Sequence, residues 1–84
     1  MTDKQYKNIE QIEKHLTENE LWVEDVWYND LYYYVHISWG DWKHEHLRCD
    51  YLMEQIGYEC TGTITTEEDG GDCYSAIHKY VKVR

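Results

Sequence analysis

Eighty-four residues carrying 17 acids against 8 Lys and Arg give a formal net charge of −9 and a pI near 4.8. A chain of that length supports one domain with a thin core, and a field of that sign repels nucleic acid and anionic membrane while attracting basic protein surfaces. No apolar run approaches the roughly 20 residues that span a bilayer, and Met-Thr-Asp-Lys is no signal peptide, so a cytoplasmic protein is expected.

The aromatic content is uneven. There is no Phe, but there are 4 Trp and 9 Tyr, residues that bury a large area and also favour interfaces where one end stays wet. Three cysteines, an odd number, fit a reducing compartment better than a disulfide framework.

The first element is a helix over 2–19. Thr2-Asp3-Lys4-Gln5 matches a capping box, Ile9, Ile12 and Leu16 form one stripe with Tyr6 at its edge, and Asn19 suits a left-handed stop. Next comes a hairpin over 21–39, in which β-branched and aromatic runs flank Asn29-Asp30. A turn centred there pairs Val26 with Tyr33, Glu24 with Val35 and Trp22 with Ile37 on one nearly apolar face. The opposite face holds Val23, Asp25, Trp27, Tyr32, Tyr34, His36 and Ser38. A face destined for water should be mostly polar, and this one carries three large rings.

Gly40 breaks the strand, and Asp41 is placed to cap a second helix whose buried stripe is Cys49, Leu52, Met53 and Ile56, with Trp42 upstream on the same side. Gly57 ends it, leaving Leu47 and Tyr51 as a small patch on the far side. A second hairpin follows over 58–66 and 73–83, turning at Asp69-Gly70-Gly71. With the two glycines central, Ile64 faces Ile77 and Cys60 faces Val81, which sends Tyr74, His78 and Tyr80 to the outer face; a three-residue loop with a bulge would swap the faces of the second strand.

The expected fold is α+β in the order α-β-β-α-β-β: a four-stranded antiparallel sheet with two helices on one face. This layout resembles a circularly rearranged ferredoxin-like sandwich, a likeness that carries no function. It leaves the second sheet face with nothing in the chain to cover it.

Catalytic and metal chemistry find little support. His44-x-His46-x-x-Cys49 has His36, His78, Cys60 and Cys73 as further candidate ligands, but the helical spacing turns Cys49 inward and the histidines away, and no CxxC or HxxxH occurs. No metal and no cofactor are therefore expected. A Cys60–Cys73 disulfide fails because the turn register sets the two far apart along neighbouring strands. Neither Ser38 nor Ser75 sits in a glycine-framed elbow, His36 with Asp25 reads as a surface pair, and Glu67-Glu68-Asp69 lacks the ligand alternation of a calcium loop. An aromatic sheet face also describes single-stranded RNA platforms, yet those ring their aromatics with Lys and Arg, whereas here only Lys79, Lys82 and Arg84 cluster.

What survives is a protein-binding module and not an enzyme. No Lys or Arg lies between Lys14 and Lys43, nor between Arg48 and Lys79, and those intervals hold 6 and 7 acids. The expected partner-binding residues are Glu24, Asp25, Trp27, Asp30, Tyr32, Tyr34, His36, Glu67, Glu68, Asp69, Tyr74 and Tyr80, facing a basic protein surface. In size, acidity and α+β build the chain resembles the phage-encoded inhibitors of bacterial defence, the anti-CRISPR proteins and anti-restriction DNA mimics. That resemblance implies a competitive mechanism: carboxylates occupy the Lys and Arg sites with which a CRISPR effector or other nuclease grips DNA, blocking target or protospacer-adjacent-motif recognition. Two alternatives are a homodimer closed through the aromatic face, giving a structural or regulatory subunit, and a small bacterial protein of the cell's own that binds a peptide or basic partner chain.

Overall fold

The computed structural model describes residues 2–40, 45–67 and 73–83, and for 40, 45–46, 65–67 and 73–74 it describes the backbone alone. Thr2 opens the first helix, α1 (Asp3–Glu18), through both halves of a capping box: its Oγ1 accepts from the Gln5 N–H at 3.3 Å, and its own N–H donates to Gln5 Oε1 at 2.7 Å. Ile12 and Leu16 are fully buried with Ile9 packed beside them, so the expected stripe faces the core. The left-handed residue at the helix end is Glu20 (φ 67°), not Asn19. The Glu20 N–H bonds Thr17 O and the Leu21 N–H bonds Leu16 O, both at 3.1 Å, a Schellman motif whose hydrophobic pair, Leu16 and Leu21, is buried.

The remaining elements are β1 (Trp22–Asn29), β2 (Tyr32–Gly40), α2 (Glu45–Gln55), β3 (Tyr58–Glu67) and β4 (Cys73–Lys82). The strands form one antiparallel sheet in the order β1-β2-β4-β3. Both helices pack on the same side of it: Ile12, Leu16, Cys49, Leu52 and Met53 meet Val26, Val35, Ile37 and Tyr80 in one core. Gly57 (φ 93°) ends α2 as expected, and Leu47 and Tyr51 stay exposed on its far side. The Arg48 guanidinium donates to Asn19 O, and His15 Nε2 lies 3.1 Å from Gln55 Oε1, which ties the two helices together. The anticipated cap Asp41 and neighbouring Trp42 lie outside the described residues. Among the described residues, no helix is long and apolar enough to cross a membrane.

The first hairpin turns one residue later than its composition suggests. Asp30 (φ 53°) and Leu31 (φ 76°) are the central residues, with the two positive φ angles of a type I′ turn. Val26 consequently faces Val35, and ring faces ring: Trp27 stacks on Tyr34 at 5.3 Å and 7°, and Tyr28 meets Tyr33 at 4.8 Å. A shift of two along the partner strand preserves the faces. They exchange only beyond Glu24, the extra residue of a β-bulge, so Val23 packs on the core while Trp22 is 64% exposed, the reverse of the expected placement.

Leu31 is exposed yet held left-handed, a conformation costing a branched side chain about 1 kcal/mol. Leu31→Gly is accordingly expected to stabilise the protein by about 1 kcal/mol, read as a higher urea midpoint at unchanged slope. A lower midpoint would contradict the turn geometry.

The second hairpin departs further from expectation. Ile64 does face Ile77, as a turn at Gly70-Gly71 requires, but the pair points outward and Ile64 is 63% exposed. His78 and Tyr80, expected outside, are completely buried. The β3–β4 register fixes who faces whom; pairing with β2 decides which side goes in, and it sets Tyr80 beside Tyr33 and His78 beside Val35, both core residues. A second bulge, between Cys60 and Gly62, returns Tyr58 to the core at 1% exposure. Cys60 is a free thiol opposite Tyr80, while Cys73 lies opposite Gly40, on the order of 20 Å along β4 at strand rise.

Candidate functional site: the open aromatic sheet face

Side-chain alternation places Trp22, Asp25 and Trp27 of β1 outward with Tyr32, Tyr34, His36 and Ser38 of β2, and they are joined by Ile77, Lys79 and Val81 of β4 and Glu59, Gly62 and Ile64 of β3. Among the described residues, both helices lie on the other side. The central row crosses all four strands as Trp27, Tyr34, Lys79 and Gly62. Its rings are half-buried by one another, and at Gly62 a Cβ would meet nothing within 4 Å, so the row ends in an open step. The next row runs Asp25, His36, Ile77 and Ile64. Lys79 Nζ sits 3.9 Å from the centroid of the Tyr32 ring, which spends its charge on this chain's own aromatic.

Of the residues expected to bind a partner, Asp25, Trp27, Tyr32, Tyr34 and His36 are brought together here. Asp25 and His36 face each other directly, and Asp25 Oδ1 accepts from the Val26 N–H at 2.9 Å. Glu24, expected to pair with Val35 on the inner face, is the bulged residue; it stays exposed, and its Oε1 accepts from Ser38 Oγ at 2.8 Å. Asp30 sits exposed at the hairpin tip, at the end of the face. Tyr80 does not belong: it is sealed in the core, where the β2–β4 register puts it. The backbones of Glu67 and Tyr74 pair with each other, and Glu68 and Asp69 lie outside the described residues. Trp22, Ile64 and Ile77 complete the face and were assigned to the core by strict alternation. Only the two bulges and the β2–β4 pairing reveal them.

The inner side holds a polar cluster that spacing alone did not disclose. Tyr80 Oη lies 2.7 Å from Asp50 Oδ1 and 3.2 Å from Cys49 Sγ. His78 Nδ1 lies 3.2 Å from Asp50 Oδ1 and 3.2 Å from Thr63 Oγ1. Burial pushes the Asp50 carboxyl up, but hydrogen bonds from His78 and Tyr80, with the imidazole's charge, outweigh it and hold the group below its ordinary value. Burial pushes the Cys49 thiol up to about 12 and the Tyr80 phenol far above its usual range, so both stay protonated and Cys49 is no nucleophile. The side chains of His44, His46 and Cys73, earlier candidate ligands, fall outside the described ones.

No protein-family model matches the chain, and neither the curated proteins nor the solved structures contain a match to it.

Proposed function

We propose that the chain is a protein-binding inhibitor whose open sheet face docks on a basic, nucleic-acid-gripping surface, in the manner of phage-encoded anti-CRISPR or anti-restriction proteins acting in the bacterial cytoplasm. The observation that carries this reading is the Trp27–Tyr34 stack, lying with Tyr32 on the side of the sheet away from both helices. Stacked Trp and Tyr lose little rotamer entropy on binding and are typical anchors of an interface. Charge selects the partner. β1, β2 and β3 contain no Lys or Arg, and the sheet's basic residues are Lys79 and Lys82 on β4. Glu24 and Asp25 on β1 and Glu59 on β3 give the face an acidic fringe at both sheet edges. Such a fringe competes with phosphates for Lys and Arg, so the inhibitor and duplex DNA exclude one another on the effector.

The test is equilibrium binding to purified CRISPR effectors and restriction nucleases in the presence of duplex DNA. Binding that DNA displaces and that weakens steeply with salt supports the reading; binding indifferent to both refutes it. Within such a complex, Asp25→Lys is expected to slow association by roughly 3- to 10-fold at low salt and to leave dissociation nearly unchanged. Surface plasmon resonance at two salt concentrations separates the two rates.

A symmetric homodimer is the second reading, favoured by the exposure of Trp22 and Ile64 on the same face. Light scattering on a sizing column distinguishes it, because sheet-to-sheet closure would give a dimer insensitive to salt.

A further inference from the structure

The inner face carries an independent feature that partner docking does not use. Asp50 of α2, Cys60 of β3 and His78 of β4 bring one ligand atom each to a common point, all three within 4.8 Å of one another. Thiolate, imidazole and carboxylate together are a donor set suited to zinc. We propose that these three residues form a divalent-cation site for Zn²⁺, clamping α2 onto the β3–β4 hairpin.

The geometry is near what zinc demands. Bonds of about 2.0–2.1 Å to nitrogen and oxygen set a tetrahedral N···O edge of roughly 3.3 Å. Asp50 Oδ1 and His78 Nδ1 are already 3.2 Å apart. The thiolate edges would be roughly 3.5 Å, against separations of up to 4.8 Å, so Cys60 must close in by about 1.3 Å at most. Cys60 adjoins the β-bulge, its sulfur's contacts to Gly62 O and Thr63 Oγ1 are long, 3.5 Å and 3.7 Å, and its thiol already hydrogen-bonds the Asp50 carboxylate it would join at the metal.

Tyr80, by donating to Asp50 Oδ1, would orient the carboxylate as an outer-shell partner. The Asp50 side chain is 34% exposed, which gives the ion a path in and leaves a fourth position for water. Charge also balances. On binding, Cys60 loses its thiol proton to solvent, and Zn²⁺ with one thiolate, one carboxylate and a neutral imidazole makes a site of zero net charge beside the core.

Chelator-treated full-length protein titrated with Co²⁺, and separately with Zn²⁺, tests the proposal. One equivalent of Co²⁺ should bind with a thiolate-to-metal absorption in the near ultraviolet. A 100-fold excess of Zn²⁺ over its Kd should raise the Tm by on the order of 10 °C. Cys60→Ser should abolish the absorption and weaken Zn²⁺ binding at least 10-fold, whereas Cys73→Ser, at the far end of β4, should change neither. No absorption and no thermal shift with the wild-type protein would overturn the proposal, and so would an absorption that disappears with Cys73→Ser instead. The wild-type result stands even if Cys60→Ser folds poorly.

Discussion

Tyr80→Ala is expected to lower the melting temperature by roughly 12–40 °C, the largest loss from any single truncation considered. The phenol is completely buried, at the junction where β4 meets β2 and where α2 supplies Cys49 and Asp50. Emptying a large aromatic site costs about 3–5 kcal/mol, and a small domain loses about 4–8 °C for each of those. An 84-residue chain commands only about 4–13 kcal/mol in total, so the variant should be substantially unfolded in mild denaturant. Tyr80→Phe isolates the hydroxyl: it keeps the ring, deprives Asp50 of a charge-assisted hydrogen bond, and should cost about 1–3 kcal/mol. Circular dichroism melts of the three proteins check the series. If Tyr80→Ala melted within a few degrees of wild type, β4 would have to face the other way, as hydrophobic alternation alone suggests.

Trp27→Ala and Tyr34→Ala should behave in the opposite sense. Their rings stack at 5.3 Å on the side away from the helices, so removing either forfeits about 0.5–1.5 kcal/mol of ring pairing, a drop of roughly 2–12 °C. As anchors of an interface each should contribute at least about 2 kcal/mol to association, so partner affinity should fall at least 30-fold. Calorimetric binding and thermal melting on the same samples provide both readouts. A collapse of the fold in either variant would mean that the stack holds the sheet together rather than serving a partner.

Much of this architecture is legible in the chain because it is set by local chemistry. The Thr2–Gln5 capping box, the stripe of Ile12 and Leu16, the stripe of Cys49, Leu52 and Met53, and Gly57 past the end of α2 all follow from spacing within one element. The open face of the first hairpin was legible for the same reason, since Trp27, Tyr32, Tyr34 and His36 follow from period two. What escaped depends on contacts between distant segments. A bulge adds one residue and exchanges every face beyond it, which is how Trp22 and Val23 trade places.

Ile64 and Ile77 illustrate the same limit. Their pairing is correct from the turn, yet hydrophobicity alone sends them inward, and His78 outward. The fold tolerates the inversion because Asp50 and Thr63 both lie within hydrogen-bond reach of Nδ1 of the buried imidazole, although its Nε2 finds no partner among the described residues. The convergence of Asp50, Cys60 and His78 has no sequence signature at all, since they come from three elements and share no spacing motif.

The most direct test of the docking surface is capture from bacterial lysate with the wild-type chain and a Trp27→Ala/Tyr34→Ala variant side by side. Wild type should retain a DNA-binding protein that duplex DNA releases, and the variant should retain none. Equal retention by both, or release by neither salt nor DNA, would contradict the assignment of this sheet face as the binding surface.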